Sequence, residues 1–398
     1  MSYIGSKPAD AVLETDDITD GVITTSKLAD NSVTTAKTSY QDAPFRNLII
    51  NGDMSIAQRG TSTSGVTGGG YYTVDRFRWT VSASDTVTLS QSTDTPSGQG
   101  FSNSFKVDVT TADTSISADQ YAFVEQSVEA QNCQYLNYGT SSAKTLTLSF
   151  WVKSSKTGTY CIDIDKPDNT RYNYVAEYTI DSANTWEKKT IIIAPDSNIQ
   201  AAGGAIDNNN GEGFAVKFTL ATGSNRQGTN ETWNTSVVDG TSNQVNFLDS
   251  TANEFYITGV QLEAGTTASD FEFLPFDINQ QRCFRYYERY QGTGANRTTF
   301  SIGIKRDTYS GSDASVSGIL NYKVKKRGSV TITYHASNNY SYSYGVTGSQ
   351  FFSSYSFSNI RPDFAIFNGE LGTGVTNSGG IIHMREETSK FTAIDSEL

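Results

Sequence analysis

Along Lys144–Ser155 the apolar side chains of Leu146, Leu148, Phe150 and Val152 fall on every second position, the period of a half-buried strand. The same strand-length pattern recurs through the middle of the chain. Residues 71–82, 85–92, 104–110, 121–129, 158–165, 172–180, 185–194, 213–222 and 253–265 are rich in β-branched and aromatic residues and bounded by Gly, Asn or Asp. Leu48–Ile50 reads as a buried strand running into an Asn51-Gly52-Asp53 turn. Roughly ten short strands over about 230 residues predict a β-sandwich, most simply a jelly roll.

Residues 10–37 follow a different rule. Leu13, Ile18, Ile23, Leu28 and Val33 recur at every fifth position, and Asp20–Lys27 nearly repeats as Asp30–Lys37. Neither the helical period nor the strand period fits. Asp20-Gly21 and Asp30-Asn31 are turn signals, Val22-Ile23 and Ser32-Val33 can extend, and Thr24 can cap a short helical turn. A unit this small has no second layer against which to bury its two apolar residues, so identical segments from other chains would have to supply it. The expectation is an oligomeric stalk, a trimer, over residues 1–45, with 38–45 as its linker. The competing reading is a disordered acidic leader, and the regular apolar spacing weighs against it.

Beyond residue 290 the pattern returns to strands, at 298–307, 317–337, 354–360, 362–371, 379–388 and 390–395, which predicts a smaller C-terminal β-domain. Within it Tyr340, Tyr342 and Tyr344 alternate with serine and would share one face. Tyr and Ser with Asn and Gly make an adaptable contact surface. The same rings could instead pack against a neighbouring chain.

Composition narrows the possible partners. A net charge of −12 argues against nucleic acid, because phosphate binding needs clustered cations. The single basic run, Lys323–Arg327, reads as a solvated strand end. Cys133, Cys161 and Cys283 are three, with no C-x-x-C, so neither a disulfide framework nor a zinc site is expected, and the chain suits a reducing cytosol. No signal peptide and no run of about 18 apolar residues occur, so export by the usual signal and membrane insertion are not expected.

Several stretches carry a resemblance. "NLIINGDMSIAQRG" (47–60), "YYTVDRFRW", "VEQSVE", "TLTLSFWVKSS", "NTWEKKTI" and "FYITGVQLEAGTTASDFEFLPF" follow in order and spacing the body of bacteriophage tail fibre proteins, particularly those of marine phages. "FDINQQRCFRYYERY" is similar to that family's short helical connector, the closing "FTAIDSEL" to its C-terminal end, and the early repeat to its stalk. The resemblance implies an all-β homotrimer with four parts: a virion-anchoring stalk (1–45), a jelly-roll body (46–276), a helical connector (277–290) and a distal C-terminal domain (291–398). It implies docking on a tail adaptor or other tail protein through the N-terminal segment, and a host surface glycan or receptor as ligand. It places the chain in the virion after synthesis in the host cytoplasm. A purely structural virion appendage, such as a head fibre, is the alternative. The body also resembles carbohydrate-binding jelly rolls, in which a first strand ends in an Asn-Gly-Asp turn and a last strand reads like "FYITGVQLE". Such modules often hold a structural calcium, for which Asp53, Glu254 and Glu263 could supply oxygens. Those residues read more simply as turn-capping carboxylates, so no metal or cofactor is expected.

Signs of chemistry are few. His335 and His383 lack partners at metal-ligand spacing, and no G-x-S-x-G elbow or Walker loop occurs. Gly68–Gly70 has no following Lys-Ser and reads as a flexible turn, and Cys161 falls on a buried strand. Depolymerisation of a glycan would need a pair of carboxylates. Asp163 and Asp165 share a strand face, and Asp168 and Asp181 lie further apart, but the stacked-coil repeat of depolymerase spikes is missing after the first 40 residues. The chain therefore reads as a binder and not an enzyme. Sugar rings stack on exposed aromatic residues, and the tryptophans are Trp79, Trp151, Trp186 and Trp233. One of Phe150 and Trp151 must point out of the core. Trp233, in the polar stretch "NRQGTNETWNTS", is the one expected to be exposed. The ligand-binding candidates are thus Trp233, Tyr340, Tyr342 and Tyr344.

Overall fold

The computed structural model describes residues 45–291, 298–307, 314–334, 340–344, 348–371, 379–384 and 391–397. The stalk positions Leu13, Ile18, Ile23, Leu28 and Val33 lie outside the described residues. The chain is all-β.

Its body is a sandwich of two antiparallel six-stranded sheets. In spatial order the first holds Ser62–Val66 (β1), Thr86–Ser92 (β3), Ser104–Thr111 (β4), Glu254–Ala264 (β12), Leu146–Ser154 (β6) and Glu187–Ile193 (β9). The second holds Thr232–Asn234 (β11), Tyr172–Ile180 (β8), Gly158–Lys166 (β7), Glu212–Thr222 (β10), Tyr121–Glu129 (β5) and Arg78–Val81 (β2). Late strands slot between early ones: β12 lies between β4 and β6, and β10 between β5 and β7. Connections that jump between two sheets in this way give jelly-roll winding. The inner faces meet through Phe150, whose ring lies edge-on to Phe218 and Tyr178 across the core, and through Tyr160 stacked on Phe255.

Leu48–Ile50 is buried, as expected, but it is not a strand. Side chains complete its hydrogen bonding instead of a sheet ladder. Gln126 binds both ends of Ile50, accepting from its N–H at 2.7 Å and donating to its carbonyl at 2.8 Å. Asn47 Oδ1 accepts from the Ile49 and Leu262 amides, each at 3.0 Å. Buried backbone groups need partners, and amide side chains serve as well as a neighbouring strand. The Asn-Gly-Asp turn is present. Asn51 sits at φ 61° and its side chain ties Ile56 and Asp75. Gly52 is required, since a Cβ there would lie 2.1 Å from the Val260 carbonyl oxygen.

The connector is helical over Phe276–Phe284 (α1), but its second half becomes the strand Tyr287–Gln291 (β13). β13 pairs with Phe391–Asp395 (β22), which also pairs with Thr331–Tyr334 (β16). The remaining strands form a seven-stranded sheet: Gly348–Phe351 (β18), Tyr340–Tyr344 (β17), Gly379–Met384 (β21), Thr298–Asp307 (β14), Ala314–Asn321 (β15), Phe364–Leu371 (β20) and Ser354–Ser358 (β19). The expected strand over 317–337 is split, because Lys326 turns in to the Phe284 carbonyl and to Glu288 at 2.7 Å. The last residues return to the body. Arg76, fully buried at φ 73°, pairs with Glu397, and Arg59 reaches Asp395 at 3.1 Å and Glu397 at 3.4 Å. Among the described residues no helix is long and apolar enough to cross a membrane.

Candidate functional site

Two of the aromatic residues singled out by sequence, Trp233 and Tyr340, are buried. Trp233 is 2% exposed. Its neighbours in sequence are polar, but β11 pairs with β8 and carries the indole to Tyr174 (centroids 5.3 Å apart) and Tyr138 (6.2 Å). Its Nε1 donates to the Ala194 carbonyl at 2.9 Å. Tyr340 is also buried, edge-on to Tyr355 and Phe367, with its hydroxyl on Thr392. Tyr342 and Tyr344 lie on β17 in register with Gln350 and Gly348, and their side chains fall outside the described residues. His335 also lies outside them.

The Asp163/Asp165 pair is real, and its oxygens are already engaged. Both project from the outer face of the second sheet onto Lys217, whose Nζ lies 3.0 Å from Asp163, 2.9 Å from Asp165 and 3.2 Å from Asp239. Arg171 and Asn173 complete the partners of Asp165 and Asp163, and Arg226 pairs with Asp239 at 2.6 Å. Burial drives the Asp163 carboxyl well above its usual range, although Lys217 works against it. Burial works the same way on Asp165, but Arg171 and Lys217 outweigh it and hold that carboxyl below its usual range. The three carboxylates are thus cross-linked to three cations, with Arg226 and Asp239 supplied by the 224–241 segment. The carboxylates considered for calcium are each engaged by different partners: Asp53 bonds Ser55 and Asn279, Glu254 bonds Lys106, and Glu263 bonds Ser269. All three cysteines are buried free thiols, and burial pushes that of Cys161 up to about 11.

The outer face of the first sheet is different. Phe150 faces the core, so Trp151 and Lys153 point outward. Lys106 on β4, Tyr256 on β12 and Lys153 on β6 stand directly opposite one another in one row across the sheet. Trp151 occupies the next outward position on β6, opposite Thr258 and Lys188. Trp186, just before β9, leans on Tyr256 with centroids 6.2 Å apart and planes at 65°. Its Nε1 donates to Asp94 at 2.9 Å, and Lys153 pairs with the other oxygen of Asp94. The Lys153 ammonium lies 4.2 Å from the Tyr256 ring centre and 5.6 Å from that of Trp186. Glu254 takes Lys106 at 2.7 Å and the Tyr256 hydroxyl at 2.8 Å.

Charge is balanced within this network. The Lys106 hydrogen bond holds Glu254 below its usual range. At Asp94 burial acts upward, but Lys153 and Trp186 outweigh it and hold that carboxyl low too. Burial pushes the Tyr256 phenol up to about 12. The result is a strand-borne face on which Trp151 and Trp186 are half-buried and Tyr256 and Lys153 are buried, among charged groups that neutralise one another. Trp79 and Trp233, by contrast, are buried in the core. A face of this kind can stack a sugar ring through its C–H groups and bond its hydroxyls at the edge. The sequence signal for it was the outward Trp151-x-Lys153 step. Nothing local announced Trp186, whose partners lie 70 and 92 residues away.

No family model matches the chain, and no curated protein matches it. Among solved structures it is similar to the family 11 carbohydrate-binding module from Clostridium thermocellum in complex with a β-1,3-1,4-mixed-linked tetrasaccharide. The identity is 13% and the TM-score 0.27, over 52% of this chain and 98% of that one. It is also similar to the C-terminal family 22 carbohydrate-binding module of Clostridium thermocellum Xyn10B, at 13% identity and a TM-score of 0.24, over 53% of this chain and 97% of that one.

Proposed function

We propose that this chain is a bacteriophage tail fibre protein that holds a host surface glycan on the outer face of the first sheet. The observation that carries the glycan reading is the half-buried pair Trp151 and Trp186 beside Tyr256, outside the hydrophobic core. The fibre reading is supported by the resemblance along residues 47–290 and by the five-residue repeat, which needs copies of itself to bury Leu13, Ile18, Ile23, Leu28 and Val33. In this reading the chain is a homotrimer, docked on a tail adaptor or other tail protein through its first 45 residues. Three sites per fibre and several fibres per particle turn weak contacts into firm attachment.

The work is binding and not turnover. A hydrolase needs one carboxylate free to donate a proton and another free to attack or activate water. Asp163 and Asp165 are spoken for by Lys217, Arg171 and Asn173. The experiment is retention of the full chain on an array of bacterial surface glycans, with light scattering to give its mass. Retention of a trimer, reduced in Trp151→Ala and Trp186→Ala and with no release of sugar, supports the reading. A chain that binds no glycan favours the structural appendage.

A further inference from the structure

We infer that a cleft at the start of the body, lined by Arg282, is a second ligand site that takes a carboxylate carried on a sugar ring. This rests on the glycan reading for the class of ligand, and it concerns a different part of the molecule from the tryptophan face.

The cleft has a volume of about 370 Å³ and is lined by Phe45, Leu48, Asn132, Tyr135, Arg282 and Arg285, among others. That size falls within the range of small-molecule sites. Its walls are apolar and aromatic: Leu48 and Ile50 are buried, while Tyr135 is 43% and Phe45 58% exposed at the rim. Its cations are not equivalent. Arg285 is consumed by Glu129, which it meets at 2.6 and 2.7 Å through two nitrogens. Lys144, outside the cleft lining, stands over the Tyr135 ring at 5.3 Å. Arg282, in the last turn of α1, makes one hydrogen bond, from Nη2 to the Asn47 carbonyl at 3.3 Å. Among the described residues no carboxylate lies within 4.0 Å of it, whereas Arg46, Arg76 and Arg285 each hold one. Glu272 is the carboxylate whose field reaches Arg282, after the weaker acids Cys283 and Tyr286, but its two oxygens accept from the Phe45 and Asn47 amides at 2.7 and 3.0 Å. Burial lowers the Arg282 pKa, as expected of a cation drawn from water without a matching anion.

A partly buried guanidinium lining an apolar cleft is an incomplete ion pair. Its planar fork matches a carboxylate in two parallel hydrogen bonds. The exposed Tyr135 ring beside it offers a stacking face, and the Asn132 amide a partner for hydroxyls. A uronic acid residue supplies all three complements at once: carboxylate, C–H face and hydroxyls. In a chain of net charge −12, a local positive cleft also biases which acidic ligands can approach.

The test is calorimetric titration of the full chain with trigalacturonate and with a glucuronate trisaccharide, each against its methyl ester. The ester keeps the shape and removes the charge. The expected result is that at least one free acid binds, that its ester binds at least tenfold more weakly, and that added salt weakens the acid but not the ester. Arg282→Gln and Tyr135→Ala should each cost tenfold or more, Arg282→Lys less, while Trp151→Ala leaves binding unchanged. Should Arg282→Gln unfold, the acid–ester comparison on the wild-type chain decides by itself. Equal binding of acid and ester overturns the inference, as does loss of acid binding in Trp151→Ala. Displacement of the uronate by a peptide with a free C-terminal carboxylate, bound more tightly, assigns the cleft to a protein partner and also overturns it. If neutral glycans bind the tryptophan face and no uronate binds at all, the cleft assignment fails and the proposed function stands.

Discussion

Glu397→Ala should be among the most damaging substitutions in this protein. Glu397 meets Arg76, whose guanidinium is wholly buried and lies 3.4 Å from the centre of the Tyr286 ring. Arg76 also donates to the Ser127 carbonyl at 2.6 Å. Burial opposes its charge, and Glu397 is the chief group restoring it. The backbone of Arg76 lies in the left-handed region, so the side chain is held in place against a local strain. Removing one partner of a buried pair costs about 3–5 kcal/mol, because the other charge stays buried. The Ser127 carbonyl and the Tyr286 ring remain, which places the expected loss near the lower end, at about 3 kcal/mol, or roughly two orders of magnitude in the folding equilibrium. Replacing both partners, as Arg76→Met with Glu397→Ala, should recover most of it, since no unmatched charge then stays buried. Urea unfolding followed by tryptophan fluorescence measures all four corners of the cycle, with Trp79, three residues past Arg76, as a nearby reporter. A loss in Glu397→Ala of less than about 0.5 kcal/mol, the range of ordinary surface substitutions, would refute the reasoning. So would an unchanged penalty in the Arg76→Met background.

Three further outcomes follow from the same structure. Trp233→Ala should cost about 3–5 kcal/mol, the scale for emptying a tryptophan site in a core, and a change within 0.5 kcal/mol would return Trp233 to the surface. Burial raises the Asp163 carboxyl, so the folded chain keeps a proton that the unfolded chain releases above 3.8; the stabilisation present below that pH is lost as pH rises toward the folded value. Asp163→Asn removes this dependence, so its melting temperature relative to wild type should be higher at pH 8 than at pH 5, and the opposite trend would mean Asp163 is held ionised. Acrylamide should quench Trp151 and Trp186 in the assembled protein and leave Trp79 and Trp233 protected; protection of all four without added sugar would make the first sheet's outer face an inter-chain contact.

The strands were legible because each satisfies its pattern locally. Tyr121–Glu129 and Tyr172–Ile180 have the bounds their alternation and flanking turn residues suggest. Failures came where a distant partner decides. Leu48–Ile50 has the composition of a strand, but Gln126 and Asn47 take the hydrogen bonds a ladder would have taken. Ser62–Val66 carries one apolar residue at its end and is a strand through its register with β3. Trp233 was misplaced because polarity of sequence neighbours says nothing about the strand across the sheet, and it is Tyr174 across that pairing that buries it. The tryptophan face was half legible. Outward projection of Trp151 follows from Phe150 facing inward, while the Trp186–Asp94–Lys153–Tyr256 assembly joins four separate segments that no local pattern links.

The most direct test of the glycan assignment is a calorimetric titration of the full chain, wild type beside Trp151→Ala and Trp186→Ala, with the glycan it retains best on an array. Anchoring aromatic residues at a binding surface typically contribute about 2 kcal/mol or more, so each substitution should weaken binding roughly thirtyfold while leaving the unfolding free energy from urea titration within about 0.5 kcal/mol of wild type. Unchanged affinity in both variants would contradict the account and move the glycan site away from the first sheet.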